Sequence, residues 1–305
     1  MERPRDSVLS RLRAPPDSAT LATRPPGAGV VIGDLIARAG KLTDERIEQV
    51  LEHQRRHGGR FGQAAVALGY ATEAEVLQAL SEQFRYPMAN AEQRLLTPEL
   101  VALNEPFSRQ AEVFRSIRSQ LLINVFGQHV APRRALAVVS PSAGDGKTYF
   151  AANLAITLAQ LGGRTLLVDA DLRTPRLHEV LGMPNDAGLS GILSGRTEKR
   201  VVKQTTAVRR LYLLPVGVTP PNPLELVERP AFGLLMHELV RKFDHVILDT
   251  SAAEYGEDAA VVAARCGAAL VLARKHAAKV ALLKDLAETL HRCPDTMASV
   301  ILNEF

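Results

Sequence analysis

Residues 138–148, VVSPSAGDGKT, constrain the fold of this chain more than any other segment. An apolar run enters a glycine-rich turn and leaves it as a helix that begins near Thr148. In that arrangement successive backbone N–H groups and the positive end of a helix converge on one point, which makes a site for an anion. Lys147 can reach the outer oxygens of a phosphate chain as a point charge, and the Thr148 hydroxyl can hold a magnesium ion. The general pattern G-x-x-x-x-G-K-[ST] has a glycine where Pro141 stands here, so the loop is a looser version of it.

Two further apolar runs complete the pocket. LLVDADLR (166–173) carries Asp169 and Asp171, and VILDTS (246–251) carries Asp249. Carboxylates at strand ends fall where an α/β sheet places its ligands. The three segments together predict a site for ATP and Mg2+ in a doubly wound, mainly parallel α/β sheet of the P-loop NTPase kind. A glycine turn that merely packs a helix on a sheet leaves the two acidic strands unexplained.

Composition sets the outer limits. A length of 305 residues allows about two domains, and 46% apolar content is ordinary for a globular chain. Cys266 and Cys293 supply neither a disulfide framework nor metal-ligand spacing, which points to a reduced, cytoplasmic setting. No run approaches the ~18 apolar residues of a membrane span, and the N-terminus lacks the apolar core of a signal peptide. Any work at the inner membrane is therefore expected to run through a partner. The net charge of +4 is unevenly placed: residues 1–29 hold five arginines and five prolines with little apolar periodicity, which reads as a disordered basic arm. A second basic stretch, 196–210, contains Lys199, Arg200, Lys203 and Arg209. Either could meet an anionic membrane surface or an acidic tail, although such runs are more often solvated faces. No aromatic residues interleave with the charge, which argues against nucleic acid.

The N-terminal third repeats itself. Residues 31–54 align without a gap on residues 60–83, pairing Gly33 with Gly62, Gly40 with Gly69, Ile47 with Val76, Leu51 with Leu80 and Gln54 with Gln83. Each copy reads as a short helix stopped by glycine and a second helix opened by a cap. Thr43 opens a helix whose apolar face is Ile47, Val50 and Leu51. Thr72, with Glu75 three residues on, makes a capping box ahead of Val76, Ala79 and Leu80.

This register resembles the N-terminal domain of type II secretion and type IV pilus ATPases (MshEN-like), whose two motifs are separated by a five-residue spacer, here Arg55–Gly59. The resemblance implies a cyclic di-GMP site, which some members carry, at Ile32, Gly33 and Gly40 in the first copy and Arg60, Phe61, Gly62 and Gly69 in the second. Glycine lets backbone approach a ligand closely, and arginine can meet phosphate or guanine. Val31 departs from the family's arginine. Glycines and apolar residues at these positions also suit plain helix packing.

A polar segment, 89–109, is expected to link this 30–88 module to the remainder, 110–305. The run AEVFRSIRSQLLINVF has helical spacing at Val113, Ile117, Leu121 and Val125, and it aligns Glu112, Arg115 and Arg118 along one face. Such a face can bond a neighbouring subunit or pair with itself. In combination, residues 110–303 resemble the bacterial tyrosine kinases of exopolysaccharide synthesis. The resemblance rests on E-x-x-R-x-x-R at Glu112, Arg115 and Arg118, the loop Ser142–Thr148, D-x-D-x-R at Asp169, Asp171 and Arg173, G-L-S-x-x-L-x-G at 188–195, and P-x-G-x-x-P-P-N-P at 215–223. With the repeat in front, it extends to the chain-length-determinant kinases of the EpsG type.

That resemblance implies a protein-tyrosine kinase that assembles as a homo-oligomer through the Glu112 helix. It also implies activation by the cytosolic tail of a membrane chain-length protein. Ser142, Ala143, Gly144, Asp145, Gly146, Lys147, Thr148 and Arg173 would bind nucleotide. Thr148, Asp169 and Asp249 would serve Mg2+, Asp171 would support it, and Asp169 would take the tyrosine proton. Two departures bear on this. The tyrosines (70, 86, 149, 212 and 255) are dispersed instead of clustered in a tail, and Asp249-Thr250-Ser251 replaces D-x-P. The dispersed tyrosines leave room for an ATP-gated scaffold that phosphorylates nothing. A partitioning-type ATPase is disfavoured, because its second lysine would stand at Ser142.

Overall fold

The computed structural model describes residues 42–83, 98–127, 129–196, 200–293 and 295–304. Among them, 42–83 and 98–304 belong to separate compact units. Residues 1–29, Ile32, Gly33, Gly40, Tyr86 and Lys199 lie outside the described residues.

The first unit is helical: α1 (Asp44–His57), α2 (Phe61–Ala67) and α3 (Glu73–Gln83). Val50, Phe61, Ala64, Ala65, Ala71 and Ala79 form its small core. The capping box at α3 is made in both directions: Glu75 accepts the Thr72 backbone N–H at 2.7 Å, and the Thr72 hydroxyl accepts the Glu75 N–H at 3.2 Å. Thr43 precedes α1 in extended conformation, but its side chain makes no capping bond. Leu51 is 38% exposed and so leaves the expected apolar face. Helix α1 also runs through most of the expected spacer and stops at Gly58, whose φ of +72° suits glycine.

The second unit carries a seven-stranded sheet. Its strands are β1 (Leu136–Val139), β2 (Thr165–Ala170), β3 (Lys203–Gln204), β4 (Leu211–Leu214), β5 (His245–Thr250), β6 (Ala268–Arg274) and β7 (Met297–Asn303), in the spatial order β3-β4-β2-β5-β1-β6-β7. Every pairing is parallel except β3 with β4. The central strands are mostly apolar because both faces are covered, and their polar residues cluster at the strand ends. Leu167 and Ile247 feed one core with the helix that follows the glycine loop, α6 (Lys147–Gln160). Val168 and Leu248 feed the opposite core with the later helices, α7 (Pro223–Glu228), α8 (Pro230–Lys242) and α9 (Asp258–Cys266). This is the expected doubly wound sheet. Period-two alternation then puts Asp169 and Asp249 on the same side as Leu167 and Ile247, the side that α6 covers.

Residues 98–108 depart from the expected linker. A short helix, α4 (Val101–Asn104), buries Leu100 and Leu103 in the core beside α6. Asn153 of α6, itself wholly buried, secures it: its Oδ1 accepts the Ala102 N–H and its Nδ2 donates to the Glu99 carbonyl, both at 2.9 Å. The next helix, α5 (Arg109–Asn124), also packs differently from its heptad-like spacing. Phe114 faces inward against Tyr149 and Phe150, whereas Val113 is 52% exposed. In the basic stretch, Lys203 pairs with Asp186 at 2.8 Å and Arg210 donates to the Gly162 carbonyl, so part of its charge is used within the fold.

Asn153→Ala strands the Ala102 donor and the Glu99 acceptor in the interior. A loss of about 2 kcal/mol in urea unfolding is expected; an unchanged midpoint would mean that α4 is held by its leucines alone.

Candidate functional site

The site assembles at the C-terminal ends of three adjacent strands. Strand β1 ends at Val139 and feeds the loop Ser140–Gly146, and α6 begins at Lys147. Gly144 (φ +79°) and Gly146 (φ +96°) take left-handed conformations that let the loop close tightly ahead of the helix. Inside it, Asp145 accepts the Ser142 N–H at 3.1 Å, and the Ser140 hydroxyl donates to the Ser142 carbonyl at 2.7 Å. Lys147 folds back over the loop, only 8% exposed, and donates to Ser140 Oγ at 2.9 Å. Pro141 fits because only its carbonyl is needed, which accepts the Glu254 N–H at 3.0 Å.

Strands β2 and β5 pair so that Asp169 lies opposite Asp249. Both carboxylates are almost wholly buried. Asp169 receives the Asp171 N–H at 3.3 Å and the Leu177 N–H at 3.1 Å. Asp171 receives the Arg173 and Thr174 N–H groups and the Thr174 hydroxyl at 2.8–3.1 Å. Asp249 differs: among the described residues no hydrogen bond reaches either of its oxygens at full geometry, and the Thr148 hydroxyl is the donor that comes nearest to bonding it. Burial, followed by repulsion from Asp249, pushes the Asp169 pKa well up. Burial also raises Asp249 to about 7, with the nearby Thr148 hydroxyl and Lys147 ammonium holding it back. Two facing carboxylates with an open pair of buried oxygens fit a divalent cation. Among the described residues no three His, Cys, Asp or Glu side chains form a self-sufficient metal cage.

The other expected residues divide into those within the site and those outside it. Arg173 is at the site's edge and engages Asp258 at 2.5 Å. Glu112 pairs with Arg115 at 2.6 Å, Arg115 also donates to the Pro106 carbonyl, and Arg118 donates to the Thr157 carbonyl of α6 at 3.0 Å. The expected assembly motif thus makes bonds within its own subunit. In the helical unit Phe61 and Gly62 are buried in α2, while Arg60 precedes that helix with its side chain exposed, and Gly69 takes φ +70° after it.

Three site residues fall outside every motif in the sequence. Glu254, on a turn of 3-10 helix (Ala253–Tyr255), accepts the Ala143 N–H at 2.6 Å. Asp258 anchors Arg173. Asn303, the last residue of β7, donates to the Asp145 carbonyl at 2.9 Å and closes on Gly146. An asparagine ending the apolar run SVILN was the available clue. Beside it, a cleft of about 510 Å3 opens between α5, the first turn of α6 and the end of β7, lined by Phe114, Ile117, Tyr149, Ile301 and Asn303 among others.

Residues 136–305 match the CobQ/CobB/MinD/ParA nucleotide binding domain family. Tyrosine-protein kinase YwqD of Bacillus subtilis is 31% identical over 205 residues, covering 67% of this chain and 85% of that protein. The chain belongs to the bacterial tyrosine-protein kinases. Within that family, tyrosine-protein kinase wzc of Salmonella typhi is 35% identical over 208 residues, of which this chain covers 28% of the length. The chain thus spans about a quarter of the longer relatives. The crystal structure of the chimerical protein CapA2B2 superposes with a TM-score of 0.62 at 28% identity, covering 75% of this chain and 98% of that one. Among the described residues no helix is long and apolar enough to cross a membrane.

A carboxyl group whose pKa is raised by folding weakens the fold as pH climbs from its unfolded value, about 4, to its folded value. For Asp249 that window ends at about 7. In chelator and without nucleotide, this kinase should melt at a lower temperature at pH 8 than at pH 5.5, and Asp249→Asn should remove part of the difference. Identical pH dependence in the variant would refute the assignment.

Proposed function

We propose that this chain is an ATP-dependent protein-tyrosine kinase that regulates exopolysaccharide polymerisation and export, of the EpsG type. The observation that carries the reading is the pair Asp169 and Asp249, buried side by side next to Lys147, with both Asp249 oxygens open. The loop amides from Gly144 to Thr148 and the Lys147 ammonium bind the β- and γ-phosphates. The apolar cleft beside Tyr149 and Asn303 takes the base. Thr148 and Asp249 hold Mg2+, with Asp171 behind them, and the ion supplies charge neutralisation on the phosphate oxygens. Asp169 is oriented by its two backbone N–H bonds and takes the proton of the tyrosine hydroxyl. Arg173 acts through Asp258, steadying the loop after β2.

The cytosolic tail of a membrane chain-length protein is the proposed activator. It would keep the kinase on the cytoplasmic side of the inner membrane, and the basic stretches would contact that tail or the anionic surface around it. The Glu112 helix is the proposed contact between copies. A non-phosphorylating ATPase scaffold is the second reading, favoured by the dispersed tyrosines. Lys147→Met should abolish phosphotyrosine formation when full-length protein is incubated with ATP, Mg2+ and the partner tail. Phosphate release with no phosphotyrosine in the unmodified chain selects the scaffold.

The helical module is proposed to bind cyclic di-GMP, supported by the register of its two copies and by the exposed Arg60. Calorimetry on the full chain should give saturable heat with cyclic di-GMP that Arg60→Ala diminishes. Absence of heat at tens of micromolar protein would retire the idea.

A further inference from the structure

The described tyrosines differ sharply in what reaches them. Tyr212 is 2% exposed in the core. Tyr149 is half-buried against Phe114 on the helix that follows the glycine loop. Tyr70 is tied to Gln49 by its hydroxyl and lies under the Arg46 guanidinium. Tyr255 is 48% exposed, between Glu254 and Gly256.

We infer that Tyr255 is a phosphorylation site of this protein, modified by a second copy of the chain, and that its phosphate acts on the nucleotide loop. The inference rests on the kinase reading above and names a target for it. Tyr255 sits on the turn that follows Asp249, and three bonds tie that turn to the glycine loop: Ala253 N–H to the Ser140 carbonyl at 2.9 Å, Glu254 N–H to the Pro141 carbonyl at 3.0 Å, and Ala143 N–H to the Glu254 carboxylate at 2.6 Å. These bonds hold the turn against its own loop and leave the Tyr255 side chain 48% exposed, where a neighbouring copy can reach it. Gly256, at φ +149°, permits the bend, and a Cβ there would stand 3.1 Å from Arg173 Nη2.

In the transfer, Tyr255 Oη forms a bond to the γ-phosphorus as the bond from that phosphorus to the bridging oxygen breaks. ADP leaves, and the phenolic proton passes to the neighbour's Asp169. The product adds about two negative charges next to Glu254, one residue from the Gly256 that lies against Arg173. The phosphate repels the carboxylate that holds Ala143 and competes with Asp258 for the guanidinium. Both effects loosen the glycine loop and lower ATP turnover.

The test mixes two forms of the full chain with ATP, Mg2+ and the partner tail: tagged Lys147→Met as acceptor and untagged Tyr255→Phe as enzyme. Peptide mass spectrometry should find phosphate on Tyr255 of the acceptor and none when the acceptor also carries Tyr255→Phe. The Tyr255→Phe enzyme alone should lose most self-labelling while still phosphorylating a synthetic Glu/Tyr copolymer. Phosphate only on other tyrosines, with copolymer labelling intact, overturns the site and leaves the kinase standing. Loss of copolymer labelling in Tyr255→Phe alone also overturns it, since the residue would then be needed for turnover. Absence of phosphotyrosine on chain and copolymer with unmodified enzyme fails both readings together.

Discussion

Everything at the nucleotide end of this protein answers to two carboxylates buried against each other. Parallel pairing of β2 with β5 sets Asp169 beside Asp249, and the α6 face seals them from water. Burying one charge without a partner is costly, and burying two of like sign is more so. Asp169 is relieved by backbone N–H groups, but Asp249 keeps both oxygens open toward Thr148 and Lys147. A cation held there would relieve this repulsion.

The helix that seals the pair also carries the message outward. Helix α6 is buried along most of its length, and each neighbour touches it at a chemically specific point. Asn153 bonds α4, Arg118 of α5 bonds the Thr157 carbonyl, and Phe114 rests on Tyr149 and Phe150, directly after the phosphate loop. Arg118 of the E-x-x-R-x-x-R motif is therefore bonded to the helix that supports the nucleotide loop. Opposite them, the turn after β5 and the end of β7 grip the same loop through Glu254 and Asn303.

Much of the sheet was legible in the sequence because parallel central strands must be apolar on both faces, and three such runs ended in a phosphate loop or carboxylates. The capping box at Thr72 and Glu75 was legible for a local reason: both partners lie within one turn of helix. Segment 98–108 misled because its polar residues suggested a linker. Its two leucines found a groove that exists only once α6 is in place, and Asn153, which satisfies its backbone, is some fifty residues away. Val113 misled for a related reason, since helical spacing defines an apolar stripe but not which edge of it meets the neighbour.

The sequence by itself determined the phosphate loop, the identity of the acidic strands and the repeat in the helical module, because each depends on residues close together along the chain. Only the tertiary structure decided which carboxylate remains open. Asp169, Asp171 and Asp249 look alike as strand-end acids, and they become different when Leu177, Thr174 and Arg173 supply backbone donors to the first two and, among the described residues, no backbone N–H reaches the third. It also decided that Arg173 serves Asp258 and that the turn carrying Tyr255 is bonded to the nucleotide loop. Those pairings join residues far apart in the chain, and no local pattern encodes the distance between them.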